Sequence, residues 1–136
     1  MRTLRVFTDG AARGNPGPAG LGVVIEDDRG CRLRGLCRYI GTATNNRAEY
    51  LALIEGLQAV QEWKPDRVEV FMDSKLVVEQ VAGRFKVKNK DLMPLVRTVQ
   101  ELLAKLPEVT LTHVERARNK GADALANKAI DEYRAS

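Results

Sequence analysis

The stretch of residues 4–18 constrains the fold more than any other part of this sequence, because an alternating run leads directly into an acid and a loop. It reads Leu-Arg-Val-Phe-Thr-Asp-Gly-Ala-Ala-Arg-Gly-Asn-Pro-Gly-Pro. The alternation predicts a β-strand that ends at Asp9, with Phe7 and Asp9 on one face. α/β proteins place chemistry where a carboxylate and bare backbone N–H groups meet at a strand end. Turn formation by Asp9-Gly10 explains the same residues, and the local pattern by itself favours the turn.

A second strand repeats this pattern farther along the chain. Residues 68–73 alternate in the same way, with Phe71 and Asp73 on one face. The helix predicted between the two strands, from residue 44 to about residue 63, requires a parallel crossover, so both aspartates leave the sheet at the same edge. If the strands are neighbours, the two carboxylates lie about 5 Å apart in the ladder direction. Turn formation does not explain this pairing.

Periodicity and turn residues predict the remaining elements. Residues 21–26 and 31–40 form an antiparallel meander with the first strand, and residues 109–114 form a last strand. Helices cover residues 74–82, the leucine-rich stretch after a cap at Asn89 or Asp91, and the stretch after a cap at Asn119. The last helix is expected to bury Ala122, Leu125, Ala126, Ala129, Ile130 and Tyr133. The order βββαβααβα predicts an α/β fold: a five-stranded mixed sheet of three antiparallel strands and two parallel additions, with helices on both faces.

Composition agrees with a single domain over residues 1–136. The chain is 44% hydrophobic and carries a net charge of +4, which is typical of a soluble globular protein and compatible with a polyanionic partner. Its apolar runs are too short for a bilayer, and Met1 is not followed by a signal peptide. Cys31 and Cys37 are predicted to lie roughly 20 Å apart on one strand, too far for a disulfide. We therefore expect a cytoplasmic protein with no membrane partner.

Four acids lie at predicted strand ends or helix starts, and each has a purely structural explanation. Asp9 suits a turn, Glu49 suits a capping box with Asn46, and Asp73 suits a helix cap. Asp123 in a first helical turn is favoured by the helix dipole. All four nevertheless fall at one end of the predicted sheet, where four carboxylates repel one another unless a cation lies among them.

The type of ligand indicates which cation this would be. Oxygen ligands without a His or Cys cluster select a hard divalent ion such as Mg²⁺ or Mn²⁺. Two such ions about 3.5–4 Å apart can clamp a phosphodiester, one activating water and the other stabilising the departing 3′ oxygen. The sequence offers no Ser-His-Asp or Cys-His pairing for covalent catalysis. Metal-assisted hydrolysis is therefore the predicted chemistry.

Four blocks of the sequence, taken together, resemble type 1 ribonuclease H. They are Phe7-Thr8-Asp9-Gly10 with Gly14-Asn15-Pro16-Gly17-Pro18, then Thr44-Asn45-Asn46-Arg47-Ala48-Glu49, then Asp73-Ser74, and finally Asn119-x-x-x-Asp123-x-Leu125-Ala126. The resemblance spans essentially the whole chain. It implies a ribonuclease H-like fold and endonucleolytic cutting of the RNA strand of RNA/DNA hybrids, leaving 5′-phosphate and 3′-hydroxyl ends. It also implies two Mg²⁺ ions in the catalytic state, with Mn²⁺ as a substitute.

The resemblance also implies roles for individual residues. The catalytic, metal-binding set is Asp9, Glu49, Asp73 and Asp123. The residues implied to approach the RNA strand are Asn15, Asn45 and Asn46, although helix-start chemistry explains Asn45 and Asn46 equally well. Thr44 and Asn89 resemble parts of a pocket for a phosphate of the DNA strand. Phosphate contacts do not read bases, so cutting is expected to be largely independent of sequence.

Two departures from many bacterial members of the family concern the catalytic loop and Lys75. The loop of residues 115–118 has no histidine; Arg118 could replace it as a permanently charged phosphate partner, or could be a solvated loop arginine. His113 alternates with Val109 and Leu111 and is expected to be packed. Lys75 stands where a glutamine is common, which is expected to change the grip on the substrate.

A third departure is that the long basic protrusion of many bacterial members is missing. Binding of the hybrid is then expected to depend on a short basic segment and to be weak and strongly salt-dependent. Its basic residues are Arg84, Lys86, Lys88 and Lys90. A solvated surface is the alternative interpretation of such a segment.

Two other functions compete with hybrid cleavage. A hybrid-binding module that does not cut is disfavoured because all four acids are present. Another metal nuclease of the same superfold is disfavoured because Asp9-Gly10-Ala11 lacks the Asp-x-Glu of the exonucleases, and the chain has no room for the extra domains of the DNA-strand transferases. Additional cleavage of double-stranded RNA stays open, and a monomer is expected.

Overall fold

The computed structural model describes residues 1–135, with side chains described as far as Tyr133. The strands are β1 Thr3–Ala12, β2 Gly17–Asp27, β3 Arg32–Ala43, β4 Arg67–Met72 and β5 Val109–His113. The helices are α1 Asn45–Val60, α2 Lys75–Val81, α3 Met93–Ala104 and α4 Lys120–Ala135. Short 3₁₀ turns at Gln61–Trp63 and Arg116–Arg118 follow α1 and precede α4. Within the described residues, no helix is both long and apolar enough to cross a membrane.

The five strands form one mixed sheet in the order β3-β2-β1-β4-β5. The β1–β2 and β2–β3 pairs are antiparallel, whereas β1–β4 and β4–β5 are parallel. This topology confirms the predicted sheet of three antiparallel strands and two parallel additions. It also confirms that the two strands with alternating Phe and Asp are neighbours, since Phe7 pairs with Phe71 in the ladder.

The alternation in β1 decides which side chains enter the core. Leu4, Val6 and Thr8 are fully buried on the face that α1 covers. Phe7 points to the opposite face and stacks on Phe71, with ring centroids 5.1 Å apart. α4 packs on that second face over β2. The predicted placement of helices on both faces is therefore confirmed.

β1 is longer than the alternating run predicts. The hairpin with β2 continues from Asp9 opposite Gly22 to Ala12 opposite Ala19, so the prediction that the strand ends at Asp9 is wrong. The parallel ladder with β4, in contrast, stops at Thr8. Asp9 thus lies inside a strand but just beyond the end of one of its two ladders, because β2 supplies partners that β4 does not.

The predicted cap of α3, at Asn89 or Asp91, is also wrong. α3 begins after Leu92 with no side-chain cap, and Pro94 lies in its first turn. Asn89 instead accepts a hydrogen bond from the Asp91 N–H (2.8 Å) within the preceding turn. This turn uses the amide locally, so neither Asn89 nor Asp91 caps the helix.

Three residues near the sheet edges differ from the predictions. His113 is exposed rather than packed, because β5 is an edge strand. Tyr133 was expected to be buried but is 56% exposed. Its ring stacks on Tyr39 of β3, the other edge strand, with ring centroids 3.7 Å apart. Cys31 precedes β3 instead of lying on it, and both Cys31 and Cys37 are free thiols as predicted.

Candidate active site

Asp9 and Asp73 lie side by side where the parallel ladder of β1 and β4 ends. The last ladder pair is Thr8 with Met72, so the next residue of each strand is the aspartate. Asp9 is 4% exposed, and Asp73 is partly exposed in the two-residue connection between β4 and α2. Ser74 caps α2 through its hydroxyl, which accepts a hydrogen bond from the Val77 N–H (3.3 Å). The cap therefore does not use the Asp73 carboxylate.

Glu49 reaches the same point from the first turns of α1. Thr44 caps this helix, with its hydroxyl accepting the Arg47 N–H (3.2 Å). The alternative explanation of Glu49, a capping box with Asn46, is therefore wrong. The Glu49 carboxylate instead accepts the Gly10 N–H (2.5 Å) and is 8% exposed. A Cβ on Gly10 would come within 2.2 Å of the Ala48 carbonyl carbon. Glycine at this position lets α1 approach β1 closely enough for the contact.

Asp123 is brought in by the start of α4. Gly22 lies opposite Asp9 in the hairpin, and a Cβ on Gly22 would come within 2.1 Å of the Ala122 carbonyl oxygen. The missing side chain allows α4 to lie directly on β2. Asn119 is buried and donates through Nδ2 to the Thr8 carbonyl (2.9 Å) and to Asp73 Oδ2 (3.4 Å). Its side chain thus links α4 to β1 and β4 and does not cap the helix.

Three of the four predicted acids form one tight group. Asp9, Glu49 and Asp73 each offer a carboxylate oxygen, and these oxygens lie within 4.8 Å of one another. Asp123 is outside this group but lines the same cavity of about 400 Å³. Its Oδ1 lies 3.5 Å from Arg116 Nη2 and 3.4 Å from Asn127 Nδ2. The structure therefore places three acids in one tight group and the fourth in the same cavity, within hydrogen-bonding reach of Asp9.

Burial and mutual repulsion disfavour the charged forms of these acids. Burial, followed by Glu49, Asp123 and Asp73, raises the pKa of Asp9 far above its ordinary value of 3.8. Burial also raises the pKa of Glu49 above 4.5, partly opposed by the hydrogen bond from Gly10. A cation would relieve both effects. The group contributes only oxygen ligands, so it fits a hard divalent cation.

The predicted substrate contacts fall around two cavities. Asn45 and Asn46 line the acidic cavity, and Asn15 Oδ1 accepts the Asn45 N–H (3.0 Å). Thr44 and Asn89 line a neighbouring cavity of about 430 Å³ together with Arg47 and Lys90. Other predicted contacts are exposed, with Lys75 at the start of α2 and both Lys86 and Lys88 in the helix-free segment 82–92.

Arg118 does not line the acidic cavity. It borders a separate cavity of about 120 Å³ beside Phe7 and Arg32. Arg116, two residues earlier in the 3₁₀ turn, takes the position next to Asp123. A turn of this kind presents successive residues in different directions, and the sequence alone did not show which arginine would reach the carboxylates.

Three residues that line the acidic cavity were not predicted from the sequence: Arg13, Arg116 and Asn127. Asn127 had a usable signal, because it lies four residues after Asp123 and therefore on the same face of α4. Arg13 had none, because its position depends on the course of the loop of residues 13–16 between β1 and β2.

Comparisons with known proteins agree with this geometry. A family model described as reverse transcriptase-like matches residues 7–129. The "Bifunctional protein Rv2228c" of Mycobacterium tuberculosis is 48% identical to the chain over 127 residues, which are 93% of this chain and 35% of that protein. The chain thus spans about a third of the length of this curated relative.

Two solved structures are similar over nearly their whole length. A crystal structure of RNase H1 from the halophilic archaeon Halobacterium salinarum NRC-1 is 42% identical, with a TM-score of 0.93, covering 96% of this chain and 98% of that one. A crystal structure of LC11-RNase H1 in complex with RNA/DNA hybrid is 43% identical, with a TM-score of 0.91 and the same coverage.

Proposed function

This chain belongs to the type 1 ribonuclease H family, and we propose that it hydrolyses the RNA strand of RNA/DNA hybrids, leaving 5′-phosphate and 3′-hydroxyl ends. The observation that carries the proposal is the convergence of oxygens from Asp9, Glu49 and Asp73 within 4.8 Å, in a cavity that Asp123 also lines. The ribonuclease H-like fold is confirmed by the structural neighbours. Residues 1–136 would act as one catalytic domain.

The four acids would hold two Mg²⁺ ions, with Mn²⁺ as a substitute. Their oxygen-only donor set supports this choice. When bound, the ions supply activation of the attacking water and stabilisation of the charge on the departing 3′ oxygen. The protein contributes a rigid base for this chemistry, since Asp9 lies within a strand and Glu49 is fixed by the Gly10 N–H.

The amides beside the acids would hold the RNA strand. Asn45 and Asn46 line the acidic cavity, and Asn15 is tied to the Asn45 backbone. Amide side chains both donate and accept hydrogen bonds, so they can bind a 2′-hydroxyl either as its acceptor or as its donor. Such contacts distinguish ribose from deoxyribose, and this supports the choice of the RNA strand for cleavage.

The neighbouring cavity would hold a phosphate of the DNA strand. Thr44 and Asn89 line it, and Arg47 and Lys90 add positive charge. The exposed Lys75, Lys86 and Lys88 would extend the contact to other phosphates. Arg84 would contribute little, since Glu79 pairs with its guanidinium through both carboxylate oxygens (2.5 and 2.9 Å).

Arg116, not Arg118, would provide the fixed positive charge near the reacting phosphate. Its guanidinium lies 3.5 Å from Asp123 Oδ1, and its side chain is 79% exposed. An arginine keeps its charge at neutral pH and suits phosphate oxygens. It cannot act as a general base, so proton transfer would be left to water.

A cleavage assay with three labelled substrates tests the proposal: RNA/DNA hybrid, RNA duplex and DNA duplex, each with Mg²⁺, with Mn²⁺ and with a chelator. We expect cutting of the RNA strand of the hybrid, dependent on a divalent ion, with 5′-phosphate products. Binding of the hybrid without cutting would overturn the proposal in favour of a binding module. The RNA duplex shows whether the substrate range is wider, and the DNA duplex tests for another metal nuclease.

A further inference from the structure

A series of polar contacts links the loop after β1 to Asp123 in the acidic cavity. Arg13 Nη1 pairs with Asp131 Oδ1 (2.6 Å). Arg13 Nη2 lies 3.3 Å from Asn127 Oδ1 and 3.4 Å from the Asn127 carbonyl oxygen. Asn127 Nδ2 in turn donates to the carbonyl oxygen of Asp123 (3.0 Å) and to its Oδ1 (3.4 Å). The series of contacts therefore ends on Asp123, one of the four acids proposed to bind metal.

The arginine determines which way the Asn127 amide faces. A guanidinium only donates hydrogen bonds, so the side-chain oxygen of Asn127, Oδ1, must face Arg13. The NH₂ group is then left to face Asp123, one helical turn earlier on α4. The Arg13 side chain is only 33% exposed, and its ion pair with Asp131 restricts the guanidinium further.

The Asn127 amide donates a hydrogen bond to Asp123 without carrying a charge, whereas Arg116 is charged. Both Asn127 and Arg116 contact Asp123 Oδ1. Arg116 brings a full positive charge, which opposes a cation at the same carboxylate, and its side chain is largely exposed. Asn127 is neutral and partly buried, so it can orient the carboxylate without neutralising it.

We propose that Asn127, oriented by Arg13, is a positioning residue that holds Asp123 ready to bind a divalent cation through its other oxygen. The proposal rests on the proposed function and names a determinant of its metal affinity. Asp123 needs such a device more than Asp9 and Glu49, because its side chain is 28% exposed whereas those two residues are buried.

The test compares the wild type with Asn127→Leu, which has a similar shape and no amide, and with Asn127→Gln, which keeps the amide. Glu132→Gln, on the exposed side of α4, is the matched control. Two quantities are measured: Mg²⁺ binding to the substrate-free protein by calorimetry, and the Mg²⁺ concentration for half-maximal cleavage of labelled hybrid. We expect Asn127→Leu to weaken both by about tenfold, with KM for the hybrid at saturating Mg²⁺ unchanged. Asn127→Gln should recover part of the loss.

Unchanged Mg²⁺ binding in Asn127→Leu would overturn the inference, even if its melting temperature or its cleavage rate falls. Should Asn127→Leu fail to fold, Arg13→Gln takes its place, because it releases the amide from the loop and should weaken Mg²⁺ binding in the same direction. Absence of cleavage by the wild type would overturn the proposed function, and the calorimetric comparison would still decide the positioning role.

Discussion

Glu49 is 8% exposed, accepts the Gly10 N–H, and still offers an oxygen within 4.8 Å of oxygens from Asp9 and Asp73. The hydrogen bond requires only an acceptor, whereas the cation requires negative charge. One substitution separates these two requirements, because a glutamine side chain keeps the hydrogen-bond acceptor and has no negative charge.

Glu49→Gln should therefore keep the fold and lose the activity. We expect a melting temperature in chelator equal to or above that of the wild type, because the hydrogen bond remains and a buried charge is removed. Mg²⁺-dependent cleavage should fall by more than about 100-fold, the upper end of what outer ligand partners contribute. Thermal melts and initial rates check both, with the exposed Glu62→Gln as control. Unchanged cleavage would show that Glu49 is only structural.

Among the elements, two glycines bring helices close to strands. Gly10 on β1 meets the start of α1, and Gly22 on β2 meets the start of α4. Each helix delivers one acid to the cavity, Glu49 or Asp123. The separation between a helix and the sheet thus controls the distance between acids that are far apart in the chain.

Gly22→Ala should push α4 away from the sheet. Its Cβ would lie within 2.1 Å of backbone at Ala122, a clash that typically destabilises by about 1–3 kcal/mol. Gly35→Ala in β3 is the matched control, since its Cβ would meet nothing closer than 3.4 Å, and we expect a change below about 0.5 kcal/mol. Urea unfolding measures both variants. Equal effects in the two variants would contradict the close-approach explanation.

For the whole molecule, the buried acids couple folding to pH. The pKa values of Asp9 and Glu49 are raised in the folded state from 3.8 and 4.5, first by burial and then by neighbouring groups. A folded state with raised pKa values binds protons more tightly than the unfolded chain. The stabilisation that comes from this tighter proton binding is complete at a pH below the ordinary pKa values of the two acids. It is lost as the pH rises through their raised pKa values in the folded state.

The pH dependence can be isolated with Asp9→Asn, which removes one of these groups. In chelator, the melting temperature of the wild type minus that of Asp9→Asn should decrease as pH rises above 3.8, the ordinary Asp value. The exposed Asp28→Asn gives the control difference. Mg²⁺ should raise the melting temperature of the wild type and not that of Asp9→Asn. A difference that grows with pH would contradict a raised pKa at Asp9.

The charge distribution predicts how salt affects hybrid binding. Net charge is only +4, and Lys86 and Lys88 are exposed, whereas Glu79 pairs with Arg84. Each phosphate contact contributes about 0.9 to the slope of log affinity against log salt. Lys88→Ala should therefore reduce the slope by about 1, and Arg84→Ala by clearly less. Fluorescence anisotropy on labelled hybrid measures the slopes, and equal slopes for both variants would refute this assignment.

The order of elements, the mixed sheet and the pairing of β1 with β4 followed from the sequence alone, because alternation and helical period are properties of neighbouring residues. The same local information placed Asp9 and Asp73 at one end of the sheet. It also predicted the helix in the leucine-rich stretch, α3, in which Val96, Val99 and Leu102 are buried.

Only the tertiary structure decided how the acidic cavity is assembled. It showed that Glu49 binds the Gly10 N–H and is not part of a capping box, that Arg116 and not Arg118 reaches Asp123, and that Arg13 reaches Asn127. The physical reason is that each of these contacts depends on the distance between two elements. Residues such as Gly10 and Gly22 set that distance by lacking a side chain, and no local pattern indicates which helix lies against them.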